Sequence, residues 1–340
     1  MRKILHTPVA IFKPDKVIDR YNHWMKFLPY IKPYYAVKSL CDESIISTLA
    51  KTDIIGFDVA SINEIKQVIP YSKDIILSHP IKQVEDITFA KDNNIRYIVA
   101  DSITEVKKIK SVYPEAEIIW RIKSYEKHSD IKFNAKFGAT IEQTKNAIEK
   151  YNLKNISYHV GSKCNNMESH LKTIQTILSL NSDIKMIDIG GGFTSKNDIV
   201  KLSELLSPLQ HNHLSNIKIV AEPGRYFSQS SLDIINKVIG VKRSSHHMDI
   251  FVNDSIYNSF SGKPFDHQEF LPKPLYKSNK ALKCTIWGNT CDGEDKIMEN
   301  ISLPIPKIND LIKWENMGAY SLANAVDGFN GFPKTSVIWR

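Results

Sequence analysis

Runs of isoleucine, valine and aromatic residues recur through the first two thirds of the chain, and each closes on a charged, hydroxylated or glycine-bearing end. They are Tyr34–Lys38, Ile54–Ser61, Asp74–His79, Ile95–Asp101, Glu117–Lys123, Asn155–Cys164, Met186–Phe193 and Ile217–Phe227. Near-continuous apolar runs of this kind suit strands buried on both faces of a parallel sheet. Helix-like stretches separate several of them. Ser61–Glu64 and Ser102–Glu105 have the spacing of a capping box. Leu171, Ile174, Ile177 and Leu178 share one helical face. Strand–helix alternation repeated eight times predicts an α/β protein built on a (β/α)8 TIM-like barrel, with functional residues at the C-terminal strand ends. An open doubly wound sheet is the alternative, and eight regular units favour closure.

After about residue 240 the texture changes. Val238–Val241, Ile250–Asn253, Ala281–Trp287 and Ser336–Trp339 read as strands interrupted by proline and glycine, with no long helical pattern between them. This predicts a C-terminal β domain completed by a strand-like N-terminal segment, Ile4–Phe12. The expected division is a barrel over 25–240 and a sandwich- or barrel-like β domain over 1–24 and 241–340, since 340 residues exceed one ordinary core.

Composition narrows the function classes. The chain is 42% hydrophobic and 24% charged, ordinary for a globular protein, and no run reaches the length of a membrane span. The opening residues lack the sustained apolar stretch of a signal peptide. Cys41, Cys164, Cys284 and Cys291 are widely spaced, which disfavours zinc or a disulfide framework and suits a reducing, cytoplasmic setting. The formal charge of +8 is scattered among acidic residues, so neither a nucleic-acid nor a membrane partner is expected.

The strand ends carry the chemistry. Asp188-Ile189-Gly190-Gly191-Gly192-Phe193 and Ala221-Glu222-Pro223-Gly224-Arg225-Tyr226 each bring an apolar run to glycines, where backbone N–H groups can approach an anion. A bare turn and a surface Glu222–Arg225 pair would explain either segment alone. Lys38 ends another run; it either reaches into water or is a partly desolvated amine able to form an imine. Such a lysine, a phosphate cradle and the Glu222 carboxylate together match the needs of pyridoxal 5'-phosphate. His159 is a candidate to lie flat on its ring, or else a hydrogen-bonded core histidine.

The matching segments reach further. They are Tyr35-Ala36-Val37-Lys38, Phe57-Asp58-Val59-Ala60-Ser61, Lys136-Phe137-Gly138-Ala139-Thr140 and His159-Val160-Gly161-Ser162, then the two glycine segments. Thr290-Cys291-Asp292-Gly293, Glu315-Asn316-Met317-Gly318-Ala319-Tyr320 and Phe329-Asn330-Gly331-Phe332 complete the series. In this order they resemble the eukaryotic-type ornithine decarboxylases of the alanine-racemase-fold (fold-type III) pyridoxal-phosphate family, over nearly the whole chain.

The resemblance implies a homodimeric lyase of polyamine biosynthesis that converts L-ornithine to putrescine and CO2. Lys38 would carry the covalent link to the cofactor, Glu222 would pair with the ring nitrogen, and His159 would stack on the ring. Asp58, Glu64 and Arg121 would set hydrogen bonds around the link and the ring oxygen. Ser162, the glycines Gly191, Gly192 and Gly224, Arg225 and Tyr320 would hold the phosphate. Asp266 and Asp292 would accept the distal amine of the substrate, with Tyr257 and Phe329 lining that pocket. Cys291 would return a proton to Cα, and Cys291 and Asp292 would serve the neighbouring subunit's site. No metal is implied.

The chain departs from the family pattern at Lys163, Phe265, Asn289 and Glu294, none of which removes a catalytic group. Arginine or lysine as substrate is the alternative on the same scaffold. A diamino dicarboxylic acid would want a cation where Asp266 and Asp292 stand. A non-catalytic relative resembling the antizyme inhibitors is a second alternative, although Lys38, His159, Glu222 and Cys291 are all present. An antizyme-like regulator is left unassigned.

Overall fold

The structure, a computed structural model, describes residues 6–52, 55–72, 74–180, 183–210 and 214–339. Ile4, Leu5 and Ile54, which the apolar pattern places in strands, lie outside the described residues. The chain divides into two compact units, Ile18–Phe227 and Met1–Val17 with Ser228–Arg340.

In the first unit eight parallel strands close into a barrel. In ring order they are Ile31–Ala36, Gly56–Val59, Ile75–Leu77, Tyr97–Ala100, Glu117–Arg121, Asn155–Ser157, Met186–Asp188 and Lys218–Ala221, the last pairing back to the first. The interior is filled by side chains contributed from around the ring: Tyr34, Ile76, Val99, Ile119, Met186 and Val220, all buried. Layers of bulky residues make such a barrel a packed core, leaving the strand ends for chemistry. Tyr34 reaches the strand margin, where its hydroxyl donates to Asp74 Oδ1 at 2.7 Å.

Several local expectations need correcting. The run Asn155–Cys164 is two strands. The barrel strand stops at Ser157, and Ser162–Cys164 pairs antiparallel with Ser129–Ile131 in a separate ribbon. Lys38 lies just beyond its strand, in the 3-10 turn Val37–Ser39. Ser61 and Ser102 do cap helices, accepting the Glu64 and Glu105 N–H groups at 3.3 Å. The return half of each capping box is not made. Glu64 Oε2 takes the Ala60 N–H at 2.6 Å, and buried Glu105 lies 3.3 Å from Lys82 Nζ and 2.6 Å from Lys108 Nζ. Charge-assisted contacts outweigh a neutral cap there. On helix Glu168–Leu178 the inward face is His170, Thr173, Ile174 and Ile177, with Leu171 and Leu178 only half-buried.

The second unit is built on one eight-stranded sheet. Six strands run in the order Pro272–Pro274, Leu311–Trp314, Leu232–Arg243, His247–Val252, Ala281–Trp287 and Lys296–Pro304. The N-terminal strand Val9–Phe12 pairs antiparallel with Leu232–Ile235 and parallel with Ser336–Trp339, so both ends of the chain close the same sheet. Three strands were not expected from the pattern: Pro272–Pro274, Lys296–Pro304 and Leu311–Trp314. Lys296–Pro304 flanks the sheet and fully buries only Ile297 and Leu303, which hides its apolar period. Phe260 packs edge-on against Phe270 and Trp314 at ring-centroid distances of 5.1 and 4.8 Å, anchoring the core of this unit.

Among the described residues no helix is long and apolar enough to cross a membrane, and no cluster of three or more His, Cys, Asp or Glu could hold a metal ion.

Candidate active site

The barrel strands set the site by register. Ala36 and Asp58 are partners on adjacent parallel strands, and two residues beyond Ala36 the turn presents Lys38. Tyr35 Oη donates to the Leu40 carbonyl at 3.0 Å and accepts from Ser39 Oγ at 3.1 Å, fixing that turn. Lys38 Nζ donates to Asp58 Oδ2 at 3.1 Å. The Asp58 side chain is 1% exposed and that of Lys38 43% exposed, so a buried carboxylate holds an amine still open to small molecules. Asp58 Oδ1 has no hydrogen-bond partner.

Two more carboxyls stand beside this pair. Glu222 follows the barrel strand Lys218–Ala221, and its N–H donates to the Gly190 carbonyl at 2.7 Å. Asp188 ends the neighbouring strand and accepts the Gly190 N–H on Oδ1 at 2.9 Å. Its Oδ2 has no hydrogen-bond partner, and the Glu222 carboxyl is its acidic neighbour. Two buried carboxyls side by side resist ionising together. Burial, then the mutual charge of Asp188 and Asp58, raises Glu222 well above the ordinary carboxylate range. Burial pushes Asp188 up to about 7. Arg121, at the end of strand Glu117–Arg121, faces this acidic group from the other side, its guanidinium 5.0 Å from the Phe137 ring centroid.

The burial of Asp188 has a stability consequence. Asp188 keeps a proton in the folded chain that the unfolded chain loses above about 3.8, so the folded cofactor-free protein loses stability as pH rises from there toward about 7. Asp188→Asn removes that loss. Its melting temperature should exceed the wild-type value at pH 8 by about 2 °C or more, with the gap narrowing at pH 5. Thermal melts at the two pH values check this; a gap that is absent or larger at pH 5 refutes it.

His159 follows strand Asn155–Ser157. Its Nδ1 accepts the Gly161 N–H at 3.0 Å, so the proton of the neutral ring sits on Nε2. Burial first, then Arg121 and Lys38, holds its pKa well below the ordinary histidine value. Phe133 meets the ring edge-on at 4.8 Å, and the Ser124 hydroxyl donates to the His159 carbonyl at 2.6 Å. The imidazole is therefore a fixed, uncharged plate. Arg121, Ser157, Tyr158, His159 and Glu222, with Ser78 and Val99, line one recess in the barrel unit.

The glycine segment follows directly. A Cβ at Gly191 would lie 2.8 Å from the Glu222 carbonyl oxygen and 3.0 Å from His159 Nε2. Gly192 has φ +103°, where side chains are strained. Gly224 lies against Ser39 and Ala36, which brings the Lys38 turn alongside the Glu222 strand end. Arg225, 6% exposed, opens the short helix Arg225–Ser228, and Ser162 sits half-buried at the start of its ribbon strand. Glu64, raised by burial, is committed to the Ala60 N–H.

The remaining expected residues belong to the second unit. Tyr257 stacks on Phe329 with centroids 3.9 Å apart and planes 15° off parallel, and its hydroxyl donates to the Asp292 carboxylate. The Glu294 N–H and then the Tyr257 hydroxyl hold Asp292 below the usual carboxylate range, which keeps it charged. Cys291 is exposed, and its N–H donates to Asn330 Oδ1 at 2.9 Å. Asp266 is 5% exposed at the end of helix Gly262–Asp266 and accepts from Gln268 Nε2 at 2.7 Å. Tyr320 has φ +52° and accepts the Asn324 amide on its carbonyl at 3.1 Å.

The structure thus brings Lys38, Asp58, Arg121, His159, Glu222 and the glycines together in the barrel unit. It groups Tyr257, Asp292, Cys291 and Phe329 in the other. Sequence reasoning gave Asp188 no role. Its signal was present, because a carboxylate inside the apolar run Met186–Ile189 is costly to bury unless it is used.

Comparison with known proteins agrees with this geometry. Residues 14–229 match the family model described as pyridoxal-dependent decarboxylase, pyridoxal binding domain. The probable ornithine decarboxylase of Dictyostelium discoideum is 33% identical over 93% of this chain and 76% of its own length. Antizyme inhibitor 2 of Xenopus laevis is 30% identical over 96% of this chain and 80% of its own. Among solved structures, the arginine decarboxylase of Paramecium bursaria Chlorella virus superposes with a TM-score of 0.92 at 28% identity, covering 100% of this chain and 97% of that one. With the matched model spanning the barrel and a relative of this identity spanning most of both chains, this chain belongs to the pyridoxal-dependent decarboxylase family.

Proposed function

We propose that the protein decarboxylates a basic amino acid with pyridoxal 5'-phosphate, L-ornithine giving putrescine and CO2. The observation that carries this reading is the Lys38–Asp58 pair at the strand ends of the barrel, beside the buried Glu222 carboxyl. The residues fit the cofactor on independent grounds. Asp58 Oδ1 lacks a partner, Glu222 is a buried acid raised well above the ordinary carboxylate range, and Gly191 keeps clear the space a Cβ would take beside His159.

Lys38 would hold the cofactor covalently, Glu222 its ring nitrogen, and His159 one face of its ring, while Asp58, Glu64 and Arg121 flank the link and ring oxygen. Ser162, Gly191, Gly192, Gly224, Arg225 and Tyr320 would hold its phosphate. The bound cofactor supplies an electron sink for the pair left on Cα when CO2 departs.

The chain's own groups do the rest. Asp58 keeps the Lys38 ammonium oriented and near a base able to take its proton. Arg121, set among carboxyls, would balance their charge so that Glu222 could stay ionised toward a protonated ring nitrogen. His159, neutral and hydrogen-bonded at Nδ1, offers a flat apolar face with no charge to oppose that ring. Cys291 would deliver a proton from Sγ to Cα. Asp292, kept ionised, and Asp266 would bind the distal ammonium, alongside Tyr257 and Phe329. In this reading Cys291 and Asp292 serve the site of a second copy, making the working form a homodimer in the cytoplasm.

Arginine is the second reading, favoured by the close superposition on an arginine decarboxylase. Separate incubation of the cofactor-loaded protein with L-ornithine, L-lysine and L-arginine, with CO2 and amine measured, decides between them. Ornithine should give the largest kcat/KM. Agmatine from arginine with no putrescine from ornithine would transfer the assignment. No CO2 from any of the three would favour a non-catalytic role like that of the antizyme inhibitor relative.

A further inference from the structure

In the second unit one buried side chain ties together two segments that carry substrate-facing candidates. Asp295 is 1% exposed. Its Oδ1 accepts the Ile256 N–H at 3.0 Å, next to Tyr257. Its Oδ2 accepts the Thr290 N–H at 3.1 Å and the Thr290 hydroxyl at 2.6 Å, next to Cys291. The Gly288 N–H donates to the Asp295 carbonyl at 2.8 Å, and a Cβ at Gly288 would lie 2.1 Å from the Asp295 carboxylate. The carboxylate therefore occupies the space that glycine leaves.

The turn so closed is tight. The Asp295 N–H returns to the Asp292 carbonyl at 3.2 Å, and the Asn289 N–H donates to the Asp254 carbonyl at 3.1 Å. Exposed Cys291 and half-buried Asp292 sit at its tip, followed by Gly293, around which there is open space. A tip next to a glycine has many backbone states available, and its contacts to Asn330 and Tyr257 restrict them only if the base is fixed as well. Asp295 is that base: one carboxylate fully engaged by donors from two segments, in a buried setting where such hydrogen bonds are strong.

We propose that Asp295 is a positioning residue, holding the Thr290–Asp292 turn against the Ile256–Tyr257 segment so that the Cys291 thiol and the Asp292 carboxylate meet the substrate in one geometry. This rests on the decarboxylase reading, in which Cys291 protonates Cα and Asp292 binds the distal ammonium. A loosened tip would weaken amine binding and let the proton go to the imine carbon of the cofactor in place of Cα, so that water would release an aldehyde and leave the amino nitrogen on the cofactor as its pyridoxamine form.

The test is Asp295→Asn in the cofactor-loaded enzyme. The amide keeps one acceptor oxygen but turns an NH2 group toward donors of one segment. The measurements are KM, the amine-to-aldehyde ratio and the melting temperature. Partial unfolding lowers kcat through the active fraction and leaves KM and the product ratio untouched, so these two report position. KM should rise about tenfold, the scale of one lost charge-assisted hydrogen bond, and the aldehyde share should increase. Thr290→Val should shift both in the same direction, while Thr290→Ser, which keeps the hydroxyl, should match wild type. The Thr290 pair decides the matter if Asp295→Asn does not fold. Wild-type KM and product ratio in Asp295→Asn, or in Thr290→Val, would overturn the proposal while leaving the activity intact. A wild-type protein that forms no amine overturns the underlying reading, and the Asp295 role with it.

Discussion

Lys38→Ala is expected to lower kcat on the order of 10⁴-fold or more, because it removes the only nucleophile proposed for covalent capture of the cofactor. The loss should show in two ways besides turnover. The purified variant should lack the absorbance of a lysine-bound pyridoxal, and borohydride treatment should leave no modified peptide containing residue 38. Lys38→Arg separates chemistry from charge. It keeps a cation beside Asp58 and so should preserve folding, yet guanidinium cannot make the imine, and activity should be as low as in the alanine variant. Appreciable turnover in either variant, or borohydride trapping elsewhere in the chain, would remove Lys38 from its proposed place.

Glu222→Gln is expected to produce the second largest effect, a fall in kcat of roughly 10²–10³-fold, the range seen when one preorganised electrostatic contact is lost from a transition state. The amide is nearly isosteric and keeps the packing around Gly190 and Asp188, so the fold should survive. What it cannot do is carry the negative charge that holds a protonated ring nitrogen. Its neighbours do not substitute. Asp188 has burial against its ionisation, and Asp58 is already engaged by Lys38. Steady-state kinetics with saturating cofactor measures this directly. A kcat within threefold of wild type would show that the Glu222 charge is not used.

The barrel was legible because its strands are buried on both faces. Burial on both sides requires an apolar residue at almost every position, so each run stands out without any alternation to decipher. The chemistry was legible for a related reason. A lysine or glutamate at the end of such a run is costly unless it is used, which picked out Lys38 and Glu222 before their surroundings were known, while Asp58 entered through the family resemblance. The β unit gave less away. Ala281–Trp287 was readable because its inner end is apolar, whereas Lys296–Pro304 flanks the sheet, fully buries only two of its side chains and reads as polar chain. The capping motifs show the opposite failure. Ser102–Glu105 has the right spacing, but Glu105 pairs with Lys108 on its own helix and with Lys82, a partner distant along the chain that local spacing cannot reveal.

The amino-acid order by itself determined where the strands of the barrel fall, which residues cap their ends, and hence the family and the kind of cofactor. Those are consequences of local burial and of residue chemistry, and both are written in short segments. Only the tertiary structure decided that Asp58 faces Lys38, that Asp188 and Glu222 are buried beside one another, that His159 carries its proton on Nε2, and that Asp295 braces the Cys291 turn. Each depends on register or approach between segments distant along the chain, and free energies of hydrogen bonding and desolvation are fixed by ångström-scale separation, which no spacing along the chain specifies.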